Sequence, residues 1–166
     1  MLTLAFALFA RAQSAGEVKL EYTQFDLQLR EIETPETVNS TGTTFGSDVG
    51  LNNVIQDFRT NETLGRLQGF CFVTAGLTVT GQIQFECLGT IIFSADNSSF
   101  SITGPFNPMI PTDQAVIGGT GRFSGATGVA RLSTLVNSPT DVPPSIFAFN
   151  VRLFALARPI QLPALR

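Results

Sequence analysis

Short segments of alternating apolar and polar side chains recur along this chain, separated by residues that favour turns. The predicted strands cover residues 18–29, 53–59, 65–74, 81–94, 99–104, 113–117, 125–136 and 146–156. A period of two is typical of a β-strand with one buried face. No segment has a convincing helical periodicity, so the sequence predicts an all-β protein.

Eight strands with short connections are typical of a closed barrel. Closure of an eight-stranded antiparallel β-barrel removes the sheet edges and leaves an interior for side chains or one small ligand. A β-sandwich is the alternative architecture. We expect a barrel domain over residues 13–157 and a loose tail over 158–166. Locally, a change of parity predicts a β-bulge at Thr23–Gln24, and the polar stretch 31–50 predicts a long loop.

Composition excludes several classes of function. The chain has no His and its formal net charge is −3. Without His there can be no Ser-His-Asp or Cys-His catalysis and no zincin-type metal site, so we expect neither a metal nor another cofactor. Nucleic-acid binding needs a basic surface, and the pI near 4.8 argues against it.

An apolar leader and three sequons predict secretion, and the even number of cysteines agrees with them. The apolar run 2–10 followed by Ala10-Arg11-Ala12 resembles a signal peptide, with residues 1–12 removed. An apolar first strand or a truncated gene model is the alternative. The run is too short to span a bilayer, and no later segment reaches that length. Glycosylation sequons begin at Asn39, Asn61 and Asn97. We therefore expect an extracellular glycoprotein, located in the apoplast or cell wall if the source is a plant.

The only two cysteines, Cys71 and Cys87, lie symmetrically about a predicted turn near residue 79. In such a hairpin they face each other on the same side of the sheet. A disulfide there would close a loop of about 15 residues and contribute on the order of 3 kcal/mol. Two buried free thiols are the alternative. An oxidising compartment favours the disulfide.

A glycine-rich segment is the most distinctive motif of the chain. It consists of Gly118, Gly119, Thr120 and Gly121, followed by Arg122 and Phe123. A phosphate-binding loop would need a following Lys-Ser/Thr and a helix, and the sequence predicts neither. The glycines instead indicate a bend between two strands.

Residues 115–134, AVIGGTGRFSGATGVARLST, resemble the signature of dirigent proteins, in the allene oxide cyclase-like barrel superfamily. Residues 64–70 (LGRLQGF) are similar to the family's GRAQG segment, and residues 89–93 (GTIIF) to its KGTINF strand. The resemblance covers roughly residues 18–156. The cysteine pair is more similar to that of small secreted microbial barrels of the same superfamily.

This resemblance implies a fold and a role. Dirigent proteins are secreted eight-stranded antiparallel barrels, usually homotrimeric. They bind phenoxy radicals that a separate oxidase produces and steer the coupling without oxidising the substrate. The resemblance therefore implies a small apolar phenolic ligand, an oxidase partner and a homo-oligomer, either a dimer or a trimer.

The resemblance also implies site residues. Family members have an acidic residue five positions before the first glycine, here Asp113, and another in the first strand, here Asp26. Facing the barrel interior, such carboxylates would move protons; a solvated residue at the start of a strand is the alternative for Asp113. The implied ligand-binding residues are Tyr22, Phe70, Phe72, Thr127 and Phe149.

Two family features are absent from this sequence. The tyrosines that follow the GRAQG segment are replaced by Cys71 and Val73, and the arginine of the ARG triplet is replaced by Thr127. Three functions remain open: a non-oxidising dirigent-like protein, a cyclase or isomerase, and a binding or structural barrel filled by its own Phe side chains. The residues that line the barrel interior distinguish the third function from the first two, and an assay is needed to separate those two.

Overall fold

The computed structural model describes residues 21–34, 46–75, 83–137 and 144–157. They form one closed antiparallel barrel in which each strand pairs with its neighbours in sequence and the last strand pairs with the first. The strands are β1 (Tyr22–Ile32), β2 (Asp48–Asp57), β3 (Thr63–Ala75), β4 (Gln84–Phe93), β5 (Ser99–Phe106), β6 (Thr112–Thr120), β7 (Thr127–Val136) and β8 (Ile146–Leu156). The predicted eight-stranded antiparallel barrel is confirmed.

Pairing between β1 and β8 closes the barrel. The register runs without a break from Tyr22 opposite Leu156 to Ile32 opposite Ile146. The predicted bulge at Thr23–Gln24 is therefore wrong; Tyr22 lies on the outer face of an unbroken strand and is 51% exposed.

The loop predicted over residues 31–50 was too long, because strand pairing continues through polar residues at both of its ends. β1 extends through Ile32 and β2 begins at Asp48. Glu31 therefore belongs to β1 and pairs with Phe147 of β8.

Phenylalanine rings fill one end of the barrel, which we call the lower end. Phe123 lies 5.1 Å from Phe25 and 5.3 Å from both Phe93 and Phe100, measured between ring centroids. These four rings form the phenylalanine plug. Side chains of the protein itself thus fill the interior at this end. The hypothesis of a barrel filled by its own Phe side chains expected this for the whole interior.

The glycine-rich motif forms the bend that places Phe123 in the plug. It ends β6 and leads into a single 3-10 turn, Gly121–Phe123. Gly121 has φ +58°, and a Cβ on Gly119 would lie 2.4 Å from the Phe123 carbonyl oxygen. The Arg122 guanidinium covers the plug, 4.7 Å from the ring centre of Phe93 and 4.8 Å from that of Phe123.

The predicted disulfide is confirmed. Cys71 on β3 lies directly opposite Cys87 on β4, and their sulfur atoms are 2.02 Å apart. Both residues are buried in the barrel wall. The disulfide therefore joins two neighbouring strands on the interior side of the sheet.

Several sequence-based expectations lie outside the described residues: the signal peptide over 1–12, the sequon at Asn39 and the tail over 158–166. Asn61 and Asn97, the other two sequon residues, are exposed in turns and have positive φ values of 60° and 54°. Within the described ranges, no helix is long and apolar enough to cross a membrane.

Candidate functional site

A cavity of about 510 Å³ occupies the other end of the barrel interior. At this upper end β1, β3, β5 and β7 finish and β2, β4, β6 and β8 begin. Its volume lies within the range of sites that hold a small organic molecule. The wall is mostly apolar and includes Val49, Leu51, Leu67, Cys71, Cys87, Ile102, Phe106, Leu132, Phe147 and Phe149.

The two ends of the interior differ because of the side chains that each receives. Four aromatic rings meet at the lower end and fill it. At the upper end the interior positions include Val49, the disulfide and Gly89. The interior of an eight-stranded barrel is just wide enough for large side chains to fill it. Small side chains therefore leave empty space at the centre.

A buried carboxyl group, that of Glu31, lies in this mostly apolar wall. Glu31 is only 4% exposed. The Asn53 side-chain amide donates a 2.6 Å hydrogen bond to Glu31 Oε1. The Thr34 backbone N–H in turn donates a 3.2 Å hydrogen bond to Asn53 Oδ1. Asn53 is thereby oriented so that its amide nitrogen points to the carboxyl group.

The surroundings of Glu31 raise the pKa of its carboxyl group towards neutral pH. Burial raises the pKa of Glu31 to about 7, because the charged form loses its hydration. The hydrogen bond from Asn53 lowers this pKa in part, and the negative charge of Glu33 raises it. A group that titrates near the working pH can both accept and donate a proton.

Sequence reasoning missed Glu31, because the residue was assigned to a loop. A signal for it exists: Phe25, Leu27 and Leu29 mark the odd-numbered positions of β1 as the interior face, and Glu31 continues that series. A carboxylate at the next interior position should have been a candidate.

The predicted catalytic carboxylates do not reach the cavity. Asp26 accepts a 2.9 Å hydrogen bond from Arg152 Nε, and Asp113 lies 3.3 Å from Arg131 Nη1. Each aspartate side chain is 58% exposed on the outer face of the barrel. The Arg152 hydrogen bond, helped by one from Gln24, lowers the pKa of Asp26. The expectation that both would face the interior is wrong, because each occupies an outward position of its strand.

The predicted ligand-binding residues divide between the two faces of the sheet. Phe149 is buried and lines the cavity. Tyr22, Phe70, Phe72 and Thr127 are exposed on the outside, contrary to the expected interior placement. In β3 the interior positions are Cys71 and Val73, so Phe70 and Phe72 point outward and contact each other edge to face at 5.1 Å.

We expect replacement of Asp26 or Asp113 by asparagine to leave the midpoint of urea unfolding unchanged. Exposed ion pairs contribute little to stability, since water solvates the separated charges well. Urea denaturation at neutral pH of each single variant and of the double variant tests this. A clear fall in the midpoint would show that these pairs hold the barrel together.

Comparison with known proteins agrees with this barrel. A sequence model of the family described as Dirigent-like protein matches residues 22–154. No curated protein matches the sequence.

Solved structures share the fold at low sequence identity. The pterocarpan synthase dirigent protein GePTS1 is 19% identical with a TM-score of 0.71, covering 87% of this chain and 92% of its own. PsPTS1, another pterocarpan synthase dirigent protein, is 19% identical with a TM-score of 0.68, covering 83% and 97%. AbnU, an exo-specific intermolecular Diels-Alderase, is 12% identical with a TM-score of 0.58, covering 81% and 99%.

Proposed function

Since the chain belongs to the dirigent-like protein family, we propose that its barrel binds a small, largely apolar phenolic molecule and directs the bond that this molecule forms. The observation that carries the proposal is the cavity of about 510 Å³ with the buried Glu31 in its wall. An apolar wall with few polar groups orients a ligand of this kind and excludes water. GePTS1 and PsPTS1 supply the precedent of pterocarpan synthase dirigent proteins on this fold.

In the proposed reaction the barrel positions reactants and exchanges no electrons with them. A separate oxidase removes one electron and one proton from each phenol, which gives phenoxyl radicals. Two radicals held in the cavity then form one carbon–carbon bond by pairing their unpaired electrons. Fixing their relative orientation selects which faces couple, because only one arrangement is close to the geometry of the transition state.

Glu31 has a role in the ring closure that follows coupling. A hydroxyl group attacks the quinone methide carbon, and the Glu31 carboxylate takes the proton that this hydroxyl loses. The protonated Glu31 then returns a proton to the methide's carbonyl oxygen, so the phenol is restored with no net change at the protein. The pKa of about 7 supports this role, since both protonation states of Glu31 are populated at neutral pH.

We also propose that this chemistry takes place outside the cell. The disulfide between Cys71 and Cys87 supports an oxidising compartment. Outside the cell, an oxidase would release phenoxyl radicals beside the barrel, and the radicals would enter the cavity.

The test combines the protein with a one-electron oxidase and a monolignol, followed by chiral chromatography of the dimers. We expect the protein to give an excess of one enantiomer, and Glu31→Gln to reduce the yield of ring-closed product about 100-fold, a typical contribution of general acid–base catalysis. Glu86→Gln, at an exposed position on β4, is the matched control and should behave as the unchanged protein. Racemic dimers from the unchanged protein would overturn radical coupling of that monolignol.

A second candidate is a cyclase or isomerase that needs no oxidase. Its support is the polarity of the site: the described residues that line the cavity include the carboxyl groups of Glu31 and Glu33 but neither a tyrosine nor a cation. Proton transfer alone suffices to close a ring on a reactive precursor. Faster closure of a hydroxyl-bearing quinone methide in the absence of oxidase would favour this function.

A further inference from the structure

Another polar group of the cavity wall, away from Glu31 and Asn53, is the side-chain amide of Gln114 on β6. Gln114 is 2% exposed and lines the cavity. The side-chain atoms that are both fully enclosed and without a partner in the described part of the chain belong to Arg30, Thr112 and Thr134, so the Gln114 amide is open to the cavity. Folded proteins satisfy nearly all of their buried polar groups, so an amide that is open to a cavity bonds water or a ligand there. Such a group in a cavity wall points to a ligand.

The neighbouring strand leaves room beside this amide. Gly104 on β5 lies next to Gln114, and a Cβ at Gly104 would come within 3.2 Å of the Gln114 Cα and 3.5 Å of its Cγ. Glycine therefore places neither bulk nor a hydrogen-bonding group against the Gln114 side chain.

Gln114 and Glu31 lie on nearly opposite walls. Between their strands, β6 and β1, run β7 and β8, so the two positions are three strand steps apart in a ring of eight. The cavity surface between them includes Leu132 on β7 and Phe149 on β8, which are paired with each other. The apolar surface of Leu132 and Phe149 therefore lies between Gln114 on one side and Glu31 with its partner Asn53 on the other.

We propose that Gln114 is the second polar anchor of the cavity and hydrogen-bonds a hydroxyl or carbonyl oxygen at the end of the ligand remote from Glu31. The proposal rests on the proposed function and specifies its ligand: a neutral, flat, apolar molecule that carries an oxygen substituent at each end. A ligand with one oxygen would leave either the amide or the carboxyl group unpaired, which is how buried polar groups discriminate between substrates.

Two fluorescent probes test this role: 2,6-dihydroxynaphthalene, with an oxygen at each end, and 2-naphthol, with one. We expect the protein to bind the diol about fivefold more tightly than 2-naphthol, the gain from one further hydrogen bond. Gln114→Met should weaken diol binding about fivefold and leave 2-naphthol binding unchanged. The matched control, Gln84→Met at an exposed position of β4, should change neither affinity.

Thermal unfolding without ligand gives an independent measurement. Methionine at position 114 removes an amide that faces the cavity and adds apolar surface in its place, so the Tm should not fall, and Gln84→Met should leave it unchanged. A fall in Tm for Gln114→Met would show that the amide is bonded within the protein and would overturn the proposal. Equal diol binding by the unchanged protein and Gln114→Met would overturn the role of Gln114 but not the proposed function. Binding of neither probe would overturn both.

Discussion

Replacement of Phe123 by alanine should lower the free energy of unfolding by about 4 kcal/mol. Phe123 is fully buried, and its ring touches those of Phe25, Phe93 and Phe100. Strands hydrogen-bonded into a closed barrel surround the plug and cannot collapse into the space that the ring leaves, which adds a cavity cost to the lost burial. One of the two rings beneath the Arg122 guanidinium is lost as well.

Urea denaturation of the unchanged protein and of Phe123→Ala measures this loss. Phe154→Ala is the matched control, because Phe154 lies on β8 and is 40% exposed on the outer face. The control should cost far less, since its ring is already partly in water. Phe123→Leu should fall between the two, because leucine refills part of the space. Equal losses for Phe123→Ala and Phe154→Ala would show that the plug does not hold the lower end together.

The positions of the strands follow from local alternation, and the sequence predicts them well. The exact ends of the strands do not follow from local alternation, because pairing with a distant strand decides whether a polar residue joins the sheet. Glu31 is the clearest example: it lies in a polar stretch, but β8 continues alongside it. The bend at the glycine-rich motif was predictable from its glycines, whereas the ring contacts of Phe123 depend on three other strands.

The site was predicted less well, for two different reasons. On β1, the resemblance to the family's first strand led to Asp26, although the apolar residues on either side of it mark the opposite face as the interior. On β6, Val116 faces inward while Ile117 is 56% exposed, and the pairing with β5 shifts register at this point. Because Val116 and Ile117 are adjacent and both apolar, the alternation of apolar and polar residues does not show which face of β6 Asp113 occupies. The volume of the cavity depends on the combined volume of side chains from all eight strands, so no local sequence pattern predicts it.

Replacement of Glu31 by glutamine should stabilise the protein at alkaline pH and have little effect at acidic pH. The folded protein raises the pKa of Glu31 to about 7 from an ordinary value of 4.5. Between these values the unfolded chain has already released the proton that the folded protein retains. The free energy of unfolding therefore falls as the pH rises through this window, and above pH 7 the penalty stays constant at about 3 kcal/mol. Glutamine carries no charge at any pH and escapes this penalty.

Urea denaturation of both proteins at pH 4 and pH 8 measures this effect. We expect Glu31→Gln to match the unchanged protein at pH 4 and to exceed it by about 3 kcal/mol at pH 8. Glu86→Gln, whose carboxylate is exposed on β4, should show no comparable change between the two conditions. An equal difference at both pH values would mean that Glu31 titrates near its ordinary pKa, and the proton transfer proposed for the cavity would lose its basis. A gain confined to pH 8 would show that the ionised Glu31 lowers the free energy of unfolding. A buried group that destabilises the fold in this way is expected where the group serves chemistry rather than stability.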